Sequence, residues 1–340
     1  MTIAVRSFAK INLGLYIGAR RADGFHDLRT VYQTVALHEV IKVSVASGTG
    51  IEIVCKCTDP RVPLDSSNTC HRIARLVMEA LGAEGKITIQ IEKKLPVQGG
   101  LGAASSNAVA TMLALAQILK TQRPSALPMR KRSLPRKALN EPERLRIAAQ
   151  VGSDLPLFLI GGTVLGVGHG EEVYPAPDLP TVPMVVVTPE VGVSTPKAFA
   201  DWDALAASEL TGTNSSDRLS GVGCALSAWL RGNSHAGAPA KAGGRAGSLL
   251  SDLVRAGIGN DFEKVVFSQF PDLRDIKRAL TRAGSRYASL SGSGSTLYGL
   301  FGSPAEAEKA ANRLRKQGLK AVATRSLTRQ QYWRKLIVAG

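Results

Sequence analysis

The stretch LPVQGGLGAASSNA at residues 95–108 constrains the fold of this chain more than any other segment. Before it, residues 86–93 alternate isoleucine with polar residues, the pattern of a half-buried strand. From Ala103 onward, apolar residues recur at helical spacing. The sequence therefore predicts a strand, a glycine loop and a helix start, whose free backbone N–H groups can cradle a phosphate. A glycine-rich turn before an ordinary core helix is the alternative, and this stretch alone does not decide between them.

Length and composition are those of a globular protein with room for two domains. The chain has 340 residues, of which 44% are hydrophobic and 21% are charged. No apolar run reaches the ~18 residues of a membrane span. Arg6 and Lys10 interrupt the apolar N-terminal stretch, which makes it a poor signal peptide. We therefore expect a cytoplasmic protein with no membrane partner.

The cysteines do not form a disulfide framework or a metal site. Cys55 and Cys57 point to the same face of an alternating strand, and Cys70 and Cys224 stand apart from them. No second cysteine or histidine pair stands at zinc spacing. We therefore expect reduced thiols and no dedicated metal ligands.

The chain is strongly basic, and its basic residues are unevenly spread. The formal net charge is +16, and residues 120–147 alone hold nine lysines and arginines against two glutamates. The prolines and weak periodicity of residues 120–142 predict a basic, partly disordered loop, for which we favour a solvated insertion. A loop that binds RNA or another polyanion is the sharper alternative. Residues 231–247 are of low complexity and predict a second flexible loop.

The order of the remaining patterns predicts a mixed α/β architecture. The first third is rich in strands, among them IAVRSF and INLGLYIG near the N-terminus. The later patterns predict a helix at about 68–81, a helix joined to a hydrophobic segment by a Gly-Ser-Asp turn (143–168), a buried strand (182–189), two helices (261–280), two strands around a second glycine loop (285–301), an amphipathic helix (304–318) and a last strand (320–327).

Three separated segments together resemble one family. They are SFAKINLGLYIGARRADGFHDL (7–28), LPVQGGLGAASSNA with VGSDLPLFLIGG (95–108 and 151–162) and SLSGSGSTLYGLF (289–301). In this order, and over most of the chain, they are similar to the GHMP kinases, the small-molecule kinases of the galactokinase, homoserine, mevalonate and phosphomevalonate group. Within that group, AKINLGLYI, RADGFH and the GSDLPLF turn most resemble the branch that acts on cytidine diphosphate-methylerythritol in non-mevalonate isoprenoid precursor synthesis.

The resemblance implies an α/β fold, an α+β sandwich of two domains with ATP and substrate in the cleft between them. It implies a ribosomal-protein-like, ATP-binding domain over residues 1–165 and a ferredoxin-like, substrate-binding domain over residues 166–340. The implied reaction is ATP-dependent phosphorylation of the substrate's 2-hydroxyl by a monomer or weak dimer. Mg²⁺ would accompany ATP, held mainly by phosphates, water and Ser106.

The resemblance also implies the site residues. Lys10 and Asp154 match the catalytic pair, and Phe25 and His26 match the residues that stack on and hydrogen-bond the cytosine. Ala103 and Ala104 replace glycines of the group's usual loop, and Phe25 replaces its usual tyrosine. The implied ATP-site residues are Asn68, Lys94, Pro96, Gly99, Gly100, Leu101, Gly102, Ala103, Ala104, Ser105 and Ser106, and the implied substrate-site residues are Asn12, Phe25, His26, Asp154, Gly292, Ser293 and Gly294.

Chemistry gives the catalytic pair a role independent of the resemblance. Phosphoryl transfer needs an oriented nucleophile and a place for the proton of the acceptor hydroxyl. Asp154 can accept that proton as a general base, and Lys10 can keep the carboxylate ionised and orient the hydroxyl. Spacing alone favours a turn or helix-cap role for Asp154 and an ordinary surface charge for Lys10, and only the joint presence of the two residues in the family pattern favours the catalytic pair.

Two rival functions remain at this point. Another kinase of the same group, acting on homoserine or mevalonate, is disfavoured because the resemblance of RADGFH implies recognition of a base, which those substrates lack. A basic RNA-binding protein is disfavoured because residues 120–147 contain no aromatic residue to stack on nucleotides. We therefore expect a small-molecule kinase without a specific nucleic-acid partner.

Overall fold

We analysed a computed structural model, which describes residues 1–121, 138–209 and 258–338. Within those ranges we number the elements in chain order. The strands are β1 (Thr2–Arg20), β2 (His26–Ala46), β3 (Ile51–Cys57), β4 (Gly85–Glu92), β5 (Thr163–Val167), β6 (Glu172–Pro175), β7 (Pro183–Val187), β8 (Tyr287–Leu290), β9 (Leu297–Leu300) and β10 (Ala321–Arg325). The helices are α1 (Thr69–Leu81), α2 (Ala103–Thr121), α3 (Glu141–Val151), α4 (Leu155–Ile160), α5 (Thr195–Glu209), α6 (Phe262–Gln269), α7 (Pro271–Arg282), α8 (Pro304–Lys316) and α9 (Arg329–Leu336).

The first layer is a six-stranded sheet in the order β3-β4-β2-β5-β6, with β1 paired to β2. The alternation seen in the sequence of β4 is realised, since Ile87, Ile89 and Ile91 are buried while Lys86 and Gln90 are exposed. These isoleucines share one hydrophobic core with the apolar faces of helices α1 to α4. The strand, glycine loop and helix predicted around residues 86–118 are therefore confirmed as β4, its following loop and α2.

β1 is one long strand in which the pairing with β2 shifts register. Irregularities fall between Phe8 and Lys10 and again between Asn12 and Gly14. Such bulges bend a strand and turn its side chains toward a site. The two short strand patterns read from the sequence thus belong to one element, because β2 pairs with both.

The second layer is a four-stranded sheet in the order β10-β7-β9-β8. Apolar residues of helices α5 to α8 pack with its strands in a second core. β5 and β6 continue the first sheet as far as Pro175, and α9 returns to the first core through Tyr332 and Leu336. The mixed α/β fold of two sheets is confirmed, and the division at residue 165 remains a prediction.

Two parts of the sequence interpretation need correction. Residues 155–167 are not one hydrophobic segment, because Gly161 and Gly162, both with φ of 71°, separate the short helix α4 from β5. The loop expected at 120–142 is shorter by two residues at each end, since α2 runs to Thr121 and α3 begins at Glu141. The basic centre of that loop (122–137) and the low-complexity stretch 231–247 lie outside the described residues. No helix in the described ranges has the length and apolar character needed to cross a bilayer.

Candidate active site

The glycine loop lies where three segments of the chain meet. Gly100 and Gly102 adopt φ of 77° and 67°, which side-chain-bearing residues rarely adopt. Lys10 donates its backbone N–H to the carbonyl of Leu101 at 2.9 Å, and the Ser291 hydroxyl donates to the Gly100 carbonyl at 2.9 Å. A Cβ at Gly100 would collide with the carbonyl oxygen of Ser291. The loop is therefore fixed between β1 and the second glycine loop by contacts that require glycine.

A cavity of about 320 Å³ lies on one side of this loop, which we call the loop cavity. The N-terminus of α2 closes one end of it, where unpaired N–H groups and the helix dipole favour an anion. Of the residues expected at the ATP site, those that line it are Asn68, Pro96, Gly99, Gly100, Leu101, Gly102, Ala103, Ala104 and Ser105.

Two residues expected at the ATP site do not line the loop cavity. Lys94 is exposed, and its neighbour Lys93 lines the cavity instead. Ser106 is buried at 2% exposure, whereas Ser105 contributes to the cavity wall. Asn68 does line the cavity, yet its side chain caps α1, accepting from the Cys70 N–H at 2.8 Å and donating to the Pro63 carbonyl at 2.6 Å.

The buried carboxylate of Glu39 anchors the approach to the glycine loop. Glu39 is fully buried and accepts hydrogen bonds from the Lys93 ammonium at 2.6 Å, from the Leu95 N–H at 2.8 Å and from the Asn107 amide at 2.7 Å. These bonds join the end of β4 to the first turns of α2. The Lys93 ammonium is thereby occupied inside the protein, although its side chain lines the cavity.

A second cavity of about 680 Å³ lies on the other side of the loop, and we call it the cleft cavity. Gly100, Gly102 and Ser105 line both cavities, so the two meet at the start of α2. Gly294 packs on Leu290 and is absent from the cleft wall. The other residues expected at the catalytic and substrate sites all line the cleft cavity: Lys10, Asn12, Phe25, His26, Asp154, Gly292 and Ser293.

Lys10 and Asp154 form an ion pair beside the shared loop. The Lys10 ammonium lies 3.1 Å from Asp154 Oδ2 and donates to Asn12 Oδ1 at 2.7 Å. The Tyr32 hydroxyl donates to Asp154 Oδ1 at 3.0 Å. Burial first, and the neighbouring Asp154 carboxylate second, raise the pKa of Tyr32 well above its usual value, so the hydroxyl keeps its proton. Both carboxylate oxygens of Asp154 are thus bound, one by Lys10 and the other by Tyr32.

This arrangement differs from the structural alternatives that spacing left open. Lys10 is 3% exposed and is not a surface charge, since the bulges in β1 turn it into the cleft. Asp154 stands at the N-cap position of α4 but makes no capping hydrogen bond. Its side chain points to Lys10 and Tyr32 instead, and about a third of it is exposed. A carboxylate with an exposed edge, a fixed orientation and a buried cation beside it is suited to accept a proton.

Two aromatic pairs form the far end of the cleft cavity. Phe25 is 54% exposed and stacks on His169 with ring centroids 4.7 Å apart. His26 is buried, stacks on Phe199 at 4.9 Å and lies 2.6 Å from Asp203 through its Nε2 atom. Phe25 therefore offers an open aromatic face, while His26 is held firmly in its position.

Sequence reasoning missed several residues of this cleft. Nothing in the sequence marks Tyr32 as a site residue, and Ser153 is predicted only as part of the Gly-Ser-Asp turn before the expected base. No pattern in the sequence marked the residues that the fold brings in from the β5–β6 turn and from the start of α5, which are His169, Thr195, Phe199 and Asp203. Within the described ranges there is no cluster of histidine, cysteine and carboxylate side chains able to hold a metal.

Comparisons with known proteins identify the family. The models named GHMP kinases N terminal domain and GHMP kinases C terminal match residues 68–162 and 244–320. The 4-diphosphocytidyl-2-C-methyl-D-erythritol kinase of Solibacter usitatus is 40% identical over 300 residues, which cover 87% of this chain and 80% of that protein.

Solved structures agree with this placement. The crystal structure of a 4-(cytidine 5'-diphospho)-2C-methyl-D-erythritol kinase superposes with a TM-score of 0.68 at 26% identity, covering 95% of this chain and 99% of that one. A homoserine kinase from Cytophaga hutchinsonii reaches the same TM-score at 21% identity, covering 97% and 96% of the two chains, and shows the shared fold. The chain therefore belongs to the 4-diphosphocytidyl-2-C-methyl-D-erythritol kinase family of the GHMP kinases.

Proposed function

We propose that this protein transfers the γ-phosphoryl group of ATP to the 2-hydroxyl of 4-diphosphocytidyl-2-C-methyl-D-erythritol, in the synthesis of isoprenoid precursors. The observation that carries the proposal is the Lys10–Asp154–Tyr32 cluster beside the loop that separates two cavities. One cavity has a backbone wall suited to phosphates, and the other has aromatic and polar walls suited to a nucleotide-linked alcohol.

Asp154 acts as the general base in this proposal. Its exposed edge accepts the proton of the attacking hydroxyl as the new P–O bond forms. The Lys10 ammonium lies 3.1 Å from this carboxylate, where its charge would offset charge on the oxygens of the transferring phosphoryl group. Tyr32 and Asn12 hold these two groups in place, and both are buried. The reacting groups are thereby oriented before substrate arrives.

The loop cavity is the proposed ATP site. The phosphates of ATP would lie against the Gly100–Gly102 backbone and the first N–H groups of α2. Of the two serines in the first turn of α2, Ser105 lines this cavity and is half-buried, whereas Ser106 is buried. Such a donor set fits a Mg²⁺ ion held mostly by phosphates and water, which would neutralise phosphate charge when bound.

The far end of the cleft is the proposed cytidyl site. The open face of Phe25 stacks on the base, and His26 hydrogen-bonds its edge. The Thr195 and Ser293 hydroxyls lie 2.7 Å apart and both line the cleft, and the hydroxyl that accepts in this hydrogen bond can donate its own proton to the diphosphate. Recognition thus extends along the cleft from base to hydroxyl.

ADP release measured with three acceptors tests the function. We expect turnover with 4-diphosphocytidyl-methylerythritol and none with homoserine or mevalonate at matched concentrations. Asp154→Asn should abolish most of that turnover, whereas Asp275→Asn, an exposed carboxylate paired with Arg278, should not change it. Turnover of homoserine or mevalonate without turnover of the cytidyl substrate would contradict the proposal.

We also propose that the enzyme is cytoplasmic and acts as a monomer or weak dimer. One chain supplies every group of the proposed site, so catalysis needs no second copy. Among the described residues Cys55, Cys57 and Cys70 are free, as is usual in a reducing compartment. Sedimentation velocity across a concentration series and cell fractionation measure the two properties.

A further inference from the structure

His26 is held more tightly than hydrogen bonding to a base alone requires. Its ring is 6% exposed and lies nearly parallel to the Phe199 ring, at an interplanar angle of 11°. Phe199 in turn packs edge-on against Phe262. The Nε2 atom of His26 lies 2.6 Å from Asp203 Oδ1. The ring can therefore neither tilt nor turn without losing these contacts.

A single helix supplies both restraints. Phe199 and Asp203 stand four residues apart on α5, so they share one face of that helix. His26, Phe199 and Asp203 all line the cleft cavity. On α5, Phe199 thus holds the plane of the His26 ring, and Asp203 holds its Nε2 atom.

The carboxylate determines which ring nitrogen carries the proton. An ionised carboxylate only accepts hydrogen bonds, so Nε2 must be the donor in this contact. In a neutral imidazole the other nitrogen, Nδ1, is then an acceptor. Nδ1 makes no hydrogen bond to any residue that the structure describes. Arg20 lies 3.9 Å from the other oxygen of Asp203.

We propose that Asp203 is a specificity-determining positioning residue, which fixes the His26 tautomer so that Nδ1 accepts a hydrogen bond from the exocyclic amino group of cytosine. Uracil carries a carbonyl oxygen at that position, and two acceptors facing each other repel. The site would therefore select a cytidyl over a uridyl substrate. This inference rests on the proposed function, because it assumes that the base lies against His26.

The test compares two substrates that differ only in the base, the cytidyl compound and its uridyl analogue, at pH 8, where histidine is ordinarily neutral. Wild-type kcat/KM should favour the cytidyl substrate on the order of 10⁴-fold, as for sites built to hydrogen-bond a substrate N–H. Asp203→Asn can donate to Nε2 and so reverse the tautomer, as amide replacement does in serine proteases. We expect the cytidyl preference to fall about 10-fold or more, with Nδ1–H now able to donate to the uracil oxygen.

Two control variants keep the interpretation specific. Asp201→Asn changes a neighbouring carboxylate of α5 that binds Lys197 and Gln269 and does not line the cleft, so it should leave the preference unchanged. Asp203→Glu keeps the carboxylate and should retain most of the preference. A general loosening of the fold would lower kcat/KM for both substrates together and would leave their ratio unaltered.

Direct observation of the tautomer covers the case in which the variant does not fold. ¹⁵N chemical shifts of the His26 ring in the wild-type protein at pH 8 should show the proton on Nε2. A proton on Nδ1, or an unchanged base preference in folded Asp203→Asn, would overturn the inference. If the wild-type enzyme phosphorylates neither substrate, the proposed function fails instead, so the two failures are distinguishable.

Discussion

The two cavities of the candidate active site are built in different ways. The loop cavity is drawn from two stretches of chain, roughly 61–70 and 91–107, and its wall at the shared loop is backbone. The cleft cavity takes its walls from many separate segments between Lys10 and Ser293, and its chemistry resides in side chains. A site of the first kind depends on how closely the backbone can approach, and a site of the second kind depends on how the fold orients distant side chains. Different substitutions should therefore impair each one.

The largest effect is expected in the cleft, at the reacting centre. Asp154→Asn keeps the size of the side chain but removes the proton acceptor, so kcat should fall by about 10²–10⁴-fold with little change in substrate binding. Lys10→Ala should cost a comparable factor, and the double variant should lose much less than the product because the pair acts as a unit. Single-turnover kinetics of all three variants measure this. Near-normal kcat in Asp154→Asn would show that the ion pair is structural only.

The next largest effect is expected in the glycine loop. A comparison of two glycines distinguishes the need for close contact between backbone segments from the need for a positive φ. Gly100 and Gly50 both have positive φ, 77° and 72°, but a Cβ at Gly50 would meet only open space. Gly50→Ala should cost on the order of 1 kcal/mol of unfolding free energy and leave kinetics unchanged. Gly100→Ala should in addition displace the loop from Ser291 and lower kcat/KM for ATP by up to ~100-fold.

Urea unfolding and ATP titrations of these two variants provide the comparison. Equal kinetics in both would mean that the loop is an ordinary turn, and the backbone-built description of the loop cavity would then be incorrect.

A smaller effect is expected at the base-binding end of the cleft. Phe25→Ala removes the open aromatic face, so KM for the cytidyl substrate should rise in line with ~1–3 kcal/mol of stacking, about 5- to 150-fold. ATP binding should not change, because Phe25 lines only the cleft cavity. Phe25→Tyr keeps the face and serves as the control. A parallel loss of ATP affinity would contradict the separation of the two cavities.

The smallest effect concerns the hydrogen bond that the Tyr32 hydroxyl donates to Asp154, the proposed general base. Tyr32→Phe removes the donor to Asp154 while retaining the ring, so kcat should fall about 5-fold, equivalent to ~1 kcal/mol, with KM unchanged. Tyr332→Phe removes a comparable buried hydroxyl, which donates to the Phe158 carbonyl at 2.7 Å and lies away from both cavities. It should lower stability without lowering kcat. If the two variants had equal effects on kcat, Tyr32 would not be a residue that positions Asp154.

Local patterns predicted the elements that depend on local interactions. β4 and α2 follow from alternation and helical spacing, and α6 and α7 follow from the two periodic runs around Pro271. α9 was not predicted, although Thr328 and Gln331 form a capping box at its start, a pattern visible in the sequence. The helix matters for the fold because Tyr332 and Leu336 complete the first core, a role that no local pattern reveals.

Neighbouring residues with similar side chains also limited prediction at the loop cavity. Lys93 and Lys94 are adjacent, and only the path of the chain after β4 decides that Lys93 points inward. That path is fixed by the bonds of Glu39, more than 50 residues earlier in the chain, to the Lys93 side chain and the Leu95 backbone. The same holds for Ser105 and Ser106, whose exposure depends on how α2 packs.

The glycine loop and its flanking strand and helix can be read from the chain itself, because backbone freedom and side-chain periodicity are local properties. The ion pair between Lys10 and Asp154 joins residues 144 positions apart, and Phe199 and Asp203 reach His26 across the two layers. These contacts exist only after β1 has bent at its bulges and α5 has packed against the cleft. Tertiary packing decides them because the energy of a short contact depends on distances that no local pattern specifies.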